Sequence, residues 1–239
     1  MNARFAELDR CETPLGELVL RRRLEPSLHV DVYEVKLGDE FLMSSLFTVS
    51  ETRLAELGLA ALSETDAPID VVVGGLGLGF TARAVLRDPR VRSVHVVEAL
   101  DEVIGWHERN LLPFAAEVNT DPRCHLVHGD FFAIVAGDEA FGLSVPDRVH
   151  AVLVDIDHTP RHHLHPSHAA FYEPAGLHRL ERRLHPGGVF GLWSDAAPDD
   201  DFLAVMREVF ASCAAHVVTF SNPITDGESS STVYVATAL

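Results

Sequence analysis

The chain of 239 residues is 47% hydrophobic and 23% charged, and its formal net charge at pH 7 is −17. A chain of this length and apolar content can bury one sizeable core. The acidity argues against a nucleic-acid-binding surface, which needs clustered lysine and arginine, and it suits a cationic small-molecule substrate.

Cysteine usage and the first residues of the chain predict its compartment. Cys11, Cys124 and Cys213 lie far apart without CxxC spacing, which is typical of reduced thiols in a cytoplasm. The start, MNARFAELDRCETPLG, lacks the apolar run of a signal peptide, and no segment reaches the roughly 18 apolar residues of a membrane span. We therefore expect a soluble cytoplasmic protein with no membrane partner.

The N-terminal part of the chain differs from the rest. Three short runs of β-type residues predict a small antiparallel sheet, assigned as a domain over residues 1–49. The runs are GELVLRRR (16–23), HVDVYEVKLG (29–38) and EFLMSSLF (40–47). The segment SETRLAELGLAALS (50–63) has apolar residues at helical spacing and predicts a helix capped by Ser50. This helix opens the second predicted domain, residues 50–239.

From Ile69 onwards, predicted strands alternate with predicted helices. The strands are IDVVVGG (69–75), VRSVHVVEAL (91–100), HLVHGDFF (125–132), RVHAVLVDID (148–157) and VFGLWS (189–194). The helices are FTARAVLRD (80–88), DEVIGWHERNLLP (101–113), AAFYEPAGLHRLERRLHPGG (169–188, ending in a Pro-Gly-Gly turn) and DDDFLAVMREVFASCAA (199–215). HVVTFSNP (216–223) and STVYVATAL (231–239) predict a closing hairpin. The pattern predicts an α/β fold with a Rossmann-like, seven-stranded, mostly parallel sheet and helices on both faces.

The glycine-rich loop VVVGGLGLGF (71–80) follows the first of these strands. Ligands of open α/β sheets bind beyond the carboxyl ends of the strands, so Gly74, Gly75, Gly77 and Gly79 are candidate cofactor-binding residues. The loop fits both the G-x-G-x-x-A pattern of dinucleotide sites and the G-x-G-x-G pattern of S-adenosylmethionine enzymes. Neither pattern decides the cofactor alone.

Acidic residues at the next two strand ends favour an adenosyl sulfonium over a dinucleotide. Glu98 ends the second strand, where its carboxylate can accept hydrogen bonds from ribose hydroxyls. Asp130 follows the third strand and can accept from an adenine amine, while Phe131 or Phe132 can cover the base. The alternative is that Glu98 and Asp130 only cap the helices that follow them.

Three segments resemble the spermidine synthases (polyamine aminopropyltransferases), which share the class I S-adenosylmethionine-dependent methyltransferase fold. They are the glycine-rich strand-loop-helix from Val71, VLVDIDHTP (152–160) and HAAFYEPAGLHRLERRLHPGGVF (168–190). The resemblance implies aminopropyl transfer from decarboxylated S-adenosylmethionine to an amine, and a homodimer. It places Asp155 at the catalytic signature position as base or anchor, with Asp157 and His158 as further catalytic candidates.

Two departures from this family leave the reaction open. The loop acid that holds the aminopropyl amine in the family falls on Gly77, and Leu54 and Ala55 stand where tyrosine and histidine are expected. Loss of the loop acid removes a repulsion against the carboxylate of intact S-adenosylmethionine. Methyl transfer to an unknown small acceptor, or a non-catalytic nucleoside-binding protein, therefore remain alternatives.

The segment DHTPRHHLHPSH (157–168) holds five histidines. In the family this segment is a gate over the substrate, so the resemblance implies a gating role for His162, His163 and Tyr172. The segment contains no H-E-x-x-H or facial-triad pattern, and we expect no metal, with metal binding by the imidazoles as the alternative. Trp193, at the end of the fifth strand, either lines the same pocket or packs in the core.

Overall fold

The computed structural model describes residues 4–62, 68–137 and 145–239. Its N-terminal part is a four-stranded antiparallel sheet in the order β1-β2-β3-β4. The strands are β1 (Phe5–Thr13), β2 (Gly16–Glu25), β3 (Val30–Leu37) and β4 (Glu40–Ser44). The predicted small sheet is confirmed, but β1 was missed because its frequent charged residues hide the alternation of half-buried and exposed positions.

A second sheet of seven strands follows in the order β10-β11-β9-β8-β5-β6-β7. Its strands are β5 (Ile69–Gly74), β6 (Val91–Glu98), β7 (Cys124–His128), β8 (Val149–Val154), β9 (Leu184–Ser194), β10 (Ser212–Asn222) and β11 (Gly227–Thr237). The pairs from β9 to β7 are parallel, and β11 runs antiparallel to both of its neighbours. The predicted fold class is therefore confirmed. The carboxyl ends of β5, β6, β7 and β8 lie along one edge of the sheet, where the site is built.

Seven α-helices are present among the described residues. They are α1 (Val49–Ala61), α2 (Phe80–Leu86), α3 (Asp101–Glu108), α4 (Ala115–Thr120), α5 (Phe131–Ala136), α6 (Pro174–Glu181) and α7 (Asp200–Val209). The short helices α4 and α5 were not predicted, and the predicted strand 125–132 was too long, because it ends at His128 and Phe131 and Phe132 begin α5. The predicted cap of α1 was wrong, because Thr48 occupies the cap position and the Ser50 hydroxyl donates to Glu51 instead, at 3.0 Å. Residue 63, the last of that predicted helix, lies outside the described residues.

Three predicted helices were too long, the first of them 101–113, which ends as α3 at Glu108. The stretch 169–188 divides into a 3₁₀ helix (Pro166–Phe171) and α6, because Pro174 has no N–H to continue the first helix and instead starts the second. The Pro-Gly-Gly turn predicted at the end of this stretch is a bulge inside β9, where Gly187 has a φ of +74°. The stretch 199–215 leaves the helix after Val209, and the residues from Ser212 pair with β11.

The core lies on both faces of the large sheet. On one face, Leu54 of α1 packs in the same apolar cluster as Leu18 and Val35 of the N-terminal sheet. On the other face, Leu177 of α6 and Met206 of α7 pack against β8 and β9. The division at residues 49 and 50 stays a prediction. No helix in the described part of the chain is long and apolar enough to cross a membrane.

Candidate active site

The glycine-rich loop between β5 and α2 has a backbone that few other residues can adopt. Gly75, Gly77 and Gly79 have φ values of +93°, +47° and +86°, in the left-handed region that favours glycine. A Cβ atom on Gly75 would lie 2.3 Å from the backbone oxygen of Asp155. Glycine is therefore needed here because β8 passes against the loop.

The other loop glycines also make room for elements of the chain itself. A Cβ atom would lie 2.9 Å from the Phe131 ring at Gly74, and 2.9 Å from the Met43 sulfur at Gly77. At Gly79 it would lie 2.7 Å from the His107 ring. The glycines thus allow α5, β4 and α3 to pack against the loop. The space that remains for a ligand is the cavity beside these elements.

That cavity, here called the strand-tip cavity, has a volume of about 320 Å³. It is lined by Gly75 and Gly77 from the loop, by Glu98, Asp130, Phe131 and Phe132 from strand ends, and by Leu15, Met43, Asp155 and His168. Its volume lies in the range of sites that hold small ligands. An adenosine moiety fits this combination of carboxylates, aromatic rings and exposed backbone.

Glu98 joins the loop to the tip of β6. Its carboxylate accepts from the backbone N–H of Leu76 at 3.0 Å, of Gly77 at 3.5 Å and of Leu100 at 2.9 Å. Burial raises the pKa of Glu98 although these N–H groups favour its charged form. Glu98 is thereby fixed at the wall of the strand-tip cavity.

Asp130 caps the helix that follows it, whereas α3, the helix after Glu98, has no side-chain cap. The Oδ1 of Asp130 accepts from the N–H of Ala133 at 3.1 Å, and the same residue lines the strand-tip cavity. Phe131 is 2% exposed and packs against Gly74. Phe132 stacks on His168 with 3.9 Å between ring centroids.

Asp155, directly after β8, lines the strand-tip cavity and a second cavity beside it. Its backbone N–H donates to Gly74 at 2.8 Å, and the Thr81 hydroxyl donates to its Oδ2 at 2.7 Å. Burial raises the pKa of Asp155 to about 6, because the single hydroxyl donor does not replace the lost water.

The second cavity, here called the acidic cavity, has a volume of about 320 Å³. It contains three carboxyl groups, those of Glu51 on α1, Asp155 after β8 and Asp195 after β9. Burial and the charges of Asp155 and Asp195 raise the pKa of Glu51 to about 8. Burial also raises the pKa of Asp195, against the opposing effect of His158.

The lining of both cavities lacks a positive partner for these carboxyl groups. Among the described residues, neither cavity is lined by lysine or arginine. Aromatic rings complete the acidic cavity, from Phe47 after β4, Trp193 in β9 and Phe220 in β10. Buried carboxylates and aromatic faces both bind ammonium groups, so the acidic cavity is complementary to a cationic amine.

Asp157 lies away from both cavities. It is 1% exposed and accepts from the Leu164 N–H at 2.7 Å, from His168 Nδ1 at 2.9 Å and from the Tyr172 hydroxyl at 2.9 Å. Tyr172 is buried, and its pKa is raised by burial and by the Asp157 charge. This cluster ties the histidine-rich segment to the sheet.

The two predicted gate histidines, His162 and His163, line neither cavity, whereas His158, predicted as catalytic, does. His158 lines the acidic cavity, and its ring centroid lies 4.9 Å from that of the exposed His162. His163 hydrogen-bonds the Pro160 carbonyl at 2.8 Å and stacks on Tyr172. In the described ranges, no three histidine, cysteine, aspartate or glutamate side chains are grouped as metal ligands.

The acidic cavity contains residues that the sequence did not single out. Asp195 carries the same signal as Glu98 and Asp155, an acid at a strand end, and could have been found. Glu51 gave no local signal because α1 brings it to Asp155 across 104 positions of sequence. Trp193 both packs on the core and lines the cavity, and its buried Nε1 has no partner among the described residues.

Comparison with known proteins shows which sequences and folds the chain is similar to. No family model matches the chain. Putrescine N-methyltransferase 2 of Nicotiana tabacum is 28% identical over 146 residues, which are 61% of this chain and 37% of that protein. Polyamine aminopropyltransferase 2 of Pseudomonas aeruginosa is 28% identical over 169 residues, which are 66% of this chain and 44% of that protein. The match thus spans less than half the length of these curated relatives.

Solved structures of other proteins have a similar fold. The spermidine synthase of Thermotoga maritima has a TM-score of 0.71 at 16% identity, covering 97% of this chain and 72% of that one. Human methyltransferase-like protein 13 has a TM-score of 0.52 at 18% identity, covering 80% and 79%. The fold is class I methyltransferase-like, and the resemblance to spermidine synthases predicted from the motifs is confirmed.

Proposed function

We propose, starting from this resemblance, that the chain is a transferase that moves an alkyl group from an adenosyl sulfonium to the nitrogen of a small cationic amine. The curated relatives are named as methyl- and aminopropyltransferases of polyamines. The observation that carries the proposal is the position of Asp155 in the walls of both cavities. A nucleoside in one cavity and an amine in the other would meet at this carboxyl group.

The strand-tip cavity supplies the nucleoside site. Glu98 would accept the ribose hydroxyls, and Asp130 and Phe132 would face the base. When bound, the sulfonium supplies an electrophilic carbon: the amine lone pair forms the C–N bond, and the C–S electron pair leaves with sulfur. Phe131, which is 2% exposed, supports this site from the core, and Phe132, which is 6% exposed, also lines it with its ring stacked on His168.

Asp155 acts on the amine. An ammonium group must lose a proton before its nitrogen can attack, and a carboxyl with a raised pKa is suited to hold that proton. Thr81 orients the carboxyl through Oδ2, which leaves Oδ1 for the amine. Glu51 and Asp195 then bind the remaining positive charges of the acceptor.

Asp157 and the gate residues act indirectly in this proposal. Asp157 has all its contacts within the protein, so we assign it to holding the segment of His162, His163 and Tyr172 in place. His158 is the one histidine of the segment that lines the acidic cavity, and it is placed to order the acceptor there.

The charge of the acidic cavity favours an aminopropyl group as the group transferred. Leu76, Gly77 and Gly79 line this cavity, so the tail of the cofactor would extend towards it from the loop. The carboxylate of intact S-adenosylmethionine would enter a site with three acids and no lysine or arginine among the described lining residues. Decarboxylated S-adenosylmethionine carries an ammonium group there instead, which the acids attract.

Methyl transfer from intact S-adenosylmethionine is the second candidate, favoured by Gly77. The family acid that holds the aminopropyl amine is replaced here by glycine, and Met43 occupies the adjoining space. The similarity to putrescine N-methyltransferases points the same way.

One assay separates the two transfers. The protein is incubated with putrescine and either decarboxylated or intact S-adenosylmethionine, and the amine product is identified by mass spectrometry. We expect an aminopropyl adduct from the decarboxylated cofactor, while a methyl adduct would establish the second candidate. Binding of either cofactor by calorimetry, with no product from a panel of diamines, would identify a non-catalytic nucleoside-binding protein.

We also expect the protein to form a homodimer and to be cytoplasmic. The N-terminal sheet leaves apolar side chains of Phe5, Val30 and Phe41 exposed, as a dimer surface would. Sedimentation analysis of the purified protein should give twice the chain mass, and a monomer at all concentrations would remove the dimer.

A further inference from the structure

The ring of His107 contacts the glycine-rich loop and lines neither cavity. It belongs to α3 and is 0% exposed. Its Nε2 lies 2.9 Å from the backbone oxygen of Gly77, and its Cε1 occupies the space that a Cβ atom on Gly79 would need. The ring therefore contacts the loop at two of its three left-handed glycines.

The contact fixes the protonation state of the ring. A carbonyl oxygen only accepts, so Nε2 must carry the hydrogen in this contact. Nδ1 is then an acceptor, and it is buried without a partner among the described residues. A second proton would create a buried charge, which is why burial lowers the pKa of His107.

The residue Gly77 is held from both sides. Glu98 accepts from its N–H, and His107 donates to its carbonyl. Glu98 is also the group assigned to the ribose, and its carboxylate position depends on the N–H groups of Leu76 and Gly77. A loop that relaxed away from His107 would withdraw these N–H groups from Glu98.

We infer that His107 is a positioning residue, which sets nucleoside affinity by holding the Gly77 carbonyl so that the loop keeps Glu98 in its binding position. The inference rests on the proposed nucleoside site but not on which group is transferred. His107 itself lines neither cavity, so its effect passes entirely through the loop.

The test is calorimetric binding of methylthioadenosine, which carries no transferable group. H107F keeps a ring but removes the donor, and we expect its Kd to rise about tenfold through the unsatisfied buried carbonyl. H107Q can place an amide N–H where Nε2 lies, and should restore affinity to within about threefold of the wild type. H95F is the matched control, because His95 is also buried with an unpartnered Nδ1 and also lines neither cavity, but its ring stacks on that of His125 in β7.

A measurement on the unchanged protein covers the case in which H107F fails to fold. Long-range ¹H–¹⁵N spectra should show His107 as the neutral Nε2–H form at pH 7, and an Nδ1–H form would overturn the inference. A folded H107F that binds as tightly as the wild type would also overturn it. If the wild type itself does not bind methylthioadenosine, the proposed function is overturned. The effect of His107 on nucleoside affinity is then overturned with it.

Discussion

The carboxyl groups of the two cavities differ in what surrounds them. Glu98 and Asp130, in the strand-tip cavity, accept hydrogen bonds from backbone N–H groups. Glu51 and Asp155, in the acidic cavity, each accept from one side-chain hydroxyl, and Glu51 also from its own backbone N–H; burial raises the pKa of both, as it does that of Glu98.

This difference indicates what each cavity binds. A carboxylate satisfied by N–H groups is stable in the folded protein and can still accept from neutral hydroxyls. When carboxyl groups are buried together without cations, the free energy of their charged forms is raised. An incoming ammonium group removes that cost, so the acidic cavity is suited to select for positive charge.

The largest expected effect comes from replacing the group that lines both cavities. D155N keeps the shape of the side chain but cannot take a proton, so turnover should fall by about 10²- to 10⁴-fold. Binding of methylthioadenosine should change little, because Glu98 and Asp130 are intact. Turnover of a folded D155N at the wild-type rate would remove Asp155 from the mechanism.

The next largest expected effect is on KM for the amine, and it distinguishes Glu51 in the acidic cavity from an exposed residue on the same helix. E51Q removes a carboxyl group that can ionise against the bound amine, and KM for the amine should rise roughly 10- to 100-fold. E56Q is the matched control, because Glu56 lies on the same helix in an exposed ion pair with Arg53. Equal KM values for the two variants would show that Glu51 does not bind the acceptor.

A smaller effect, on stability, separates a structural Asp157 from a catalytic one. D157N disturbs three hydrogen bonds of a buried carboxylate, and the free energy of unfolding should fall by about 2 kcal/mol. Chemical denaturation measures this change. An unchanged stability with a strongly reduced kcat would favour the catalytic role predicted from the sequence.

The smallest expected effect is the pH dependence of stability. Burial raises the folded-state pKa of Asp155 from 3.8 to about 6, and burial together with nearby carboxylates raises that of Glu51 from 4.5 to about 8. The folded protein binds these protons more tightly, so their contribution is present at low pH and is lost as pH rises through these values. The free energy of unfolding of the amine-free wild type should fall more steeply between pH 6 and 8 than that of E51Q. Parallel curves would contradict the raised pKa of Glu51.

The same comparison explains what could be predicted from the sequence. The strand-tip cavity is made of short segments at strand ends, so Gly75, Glu98 and Asp130 could be located from the strand pattern alone. The acidic cavity combines β4, α1, β9 and β10, and no local pattern relates Glu51 to Phe220. Asp157 was assigned to catalysis by its position beside Asp155, whereas only the packing of His168 and Tyr172 shows where its carboxylate points.

Determination of a crystal structure with methylthioadenosine and putrescine tests the central claim most directly. The nucleoside should lie in the strand-tip cavity with its ribose hydroxyls on Glu98 and its sulfur towards Asp155. The diamine should lie in the acidic cavity with one nitrogen at Asp155 and positive charge facing Glu51 or Asp195. A nucleoside or diamine bound elsewhere, with Asp155 contacting neither, would contradict the two-cavity site.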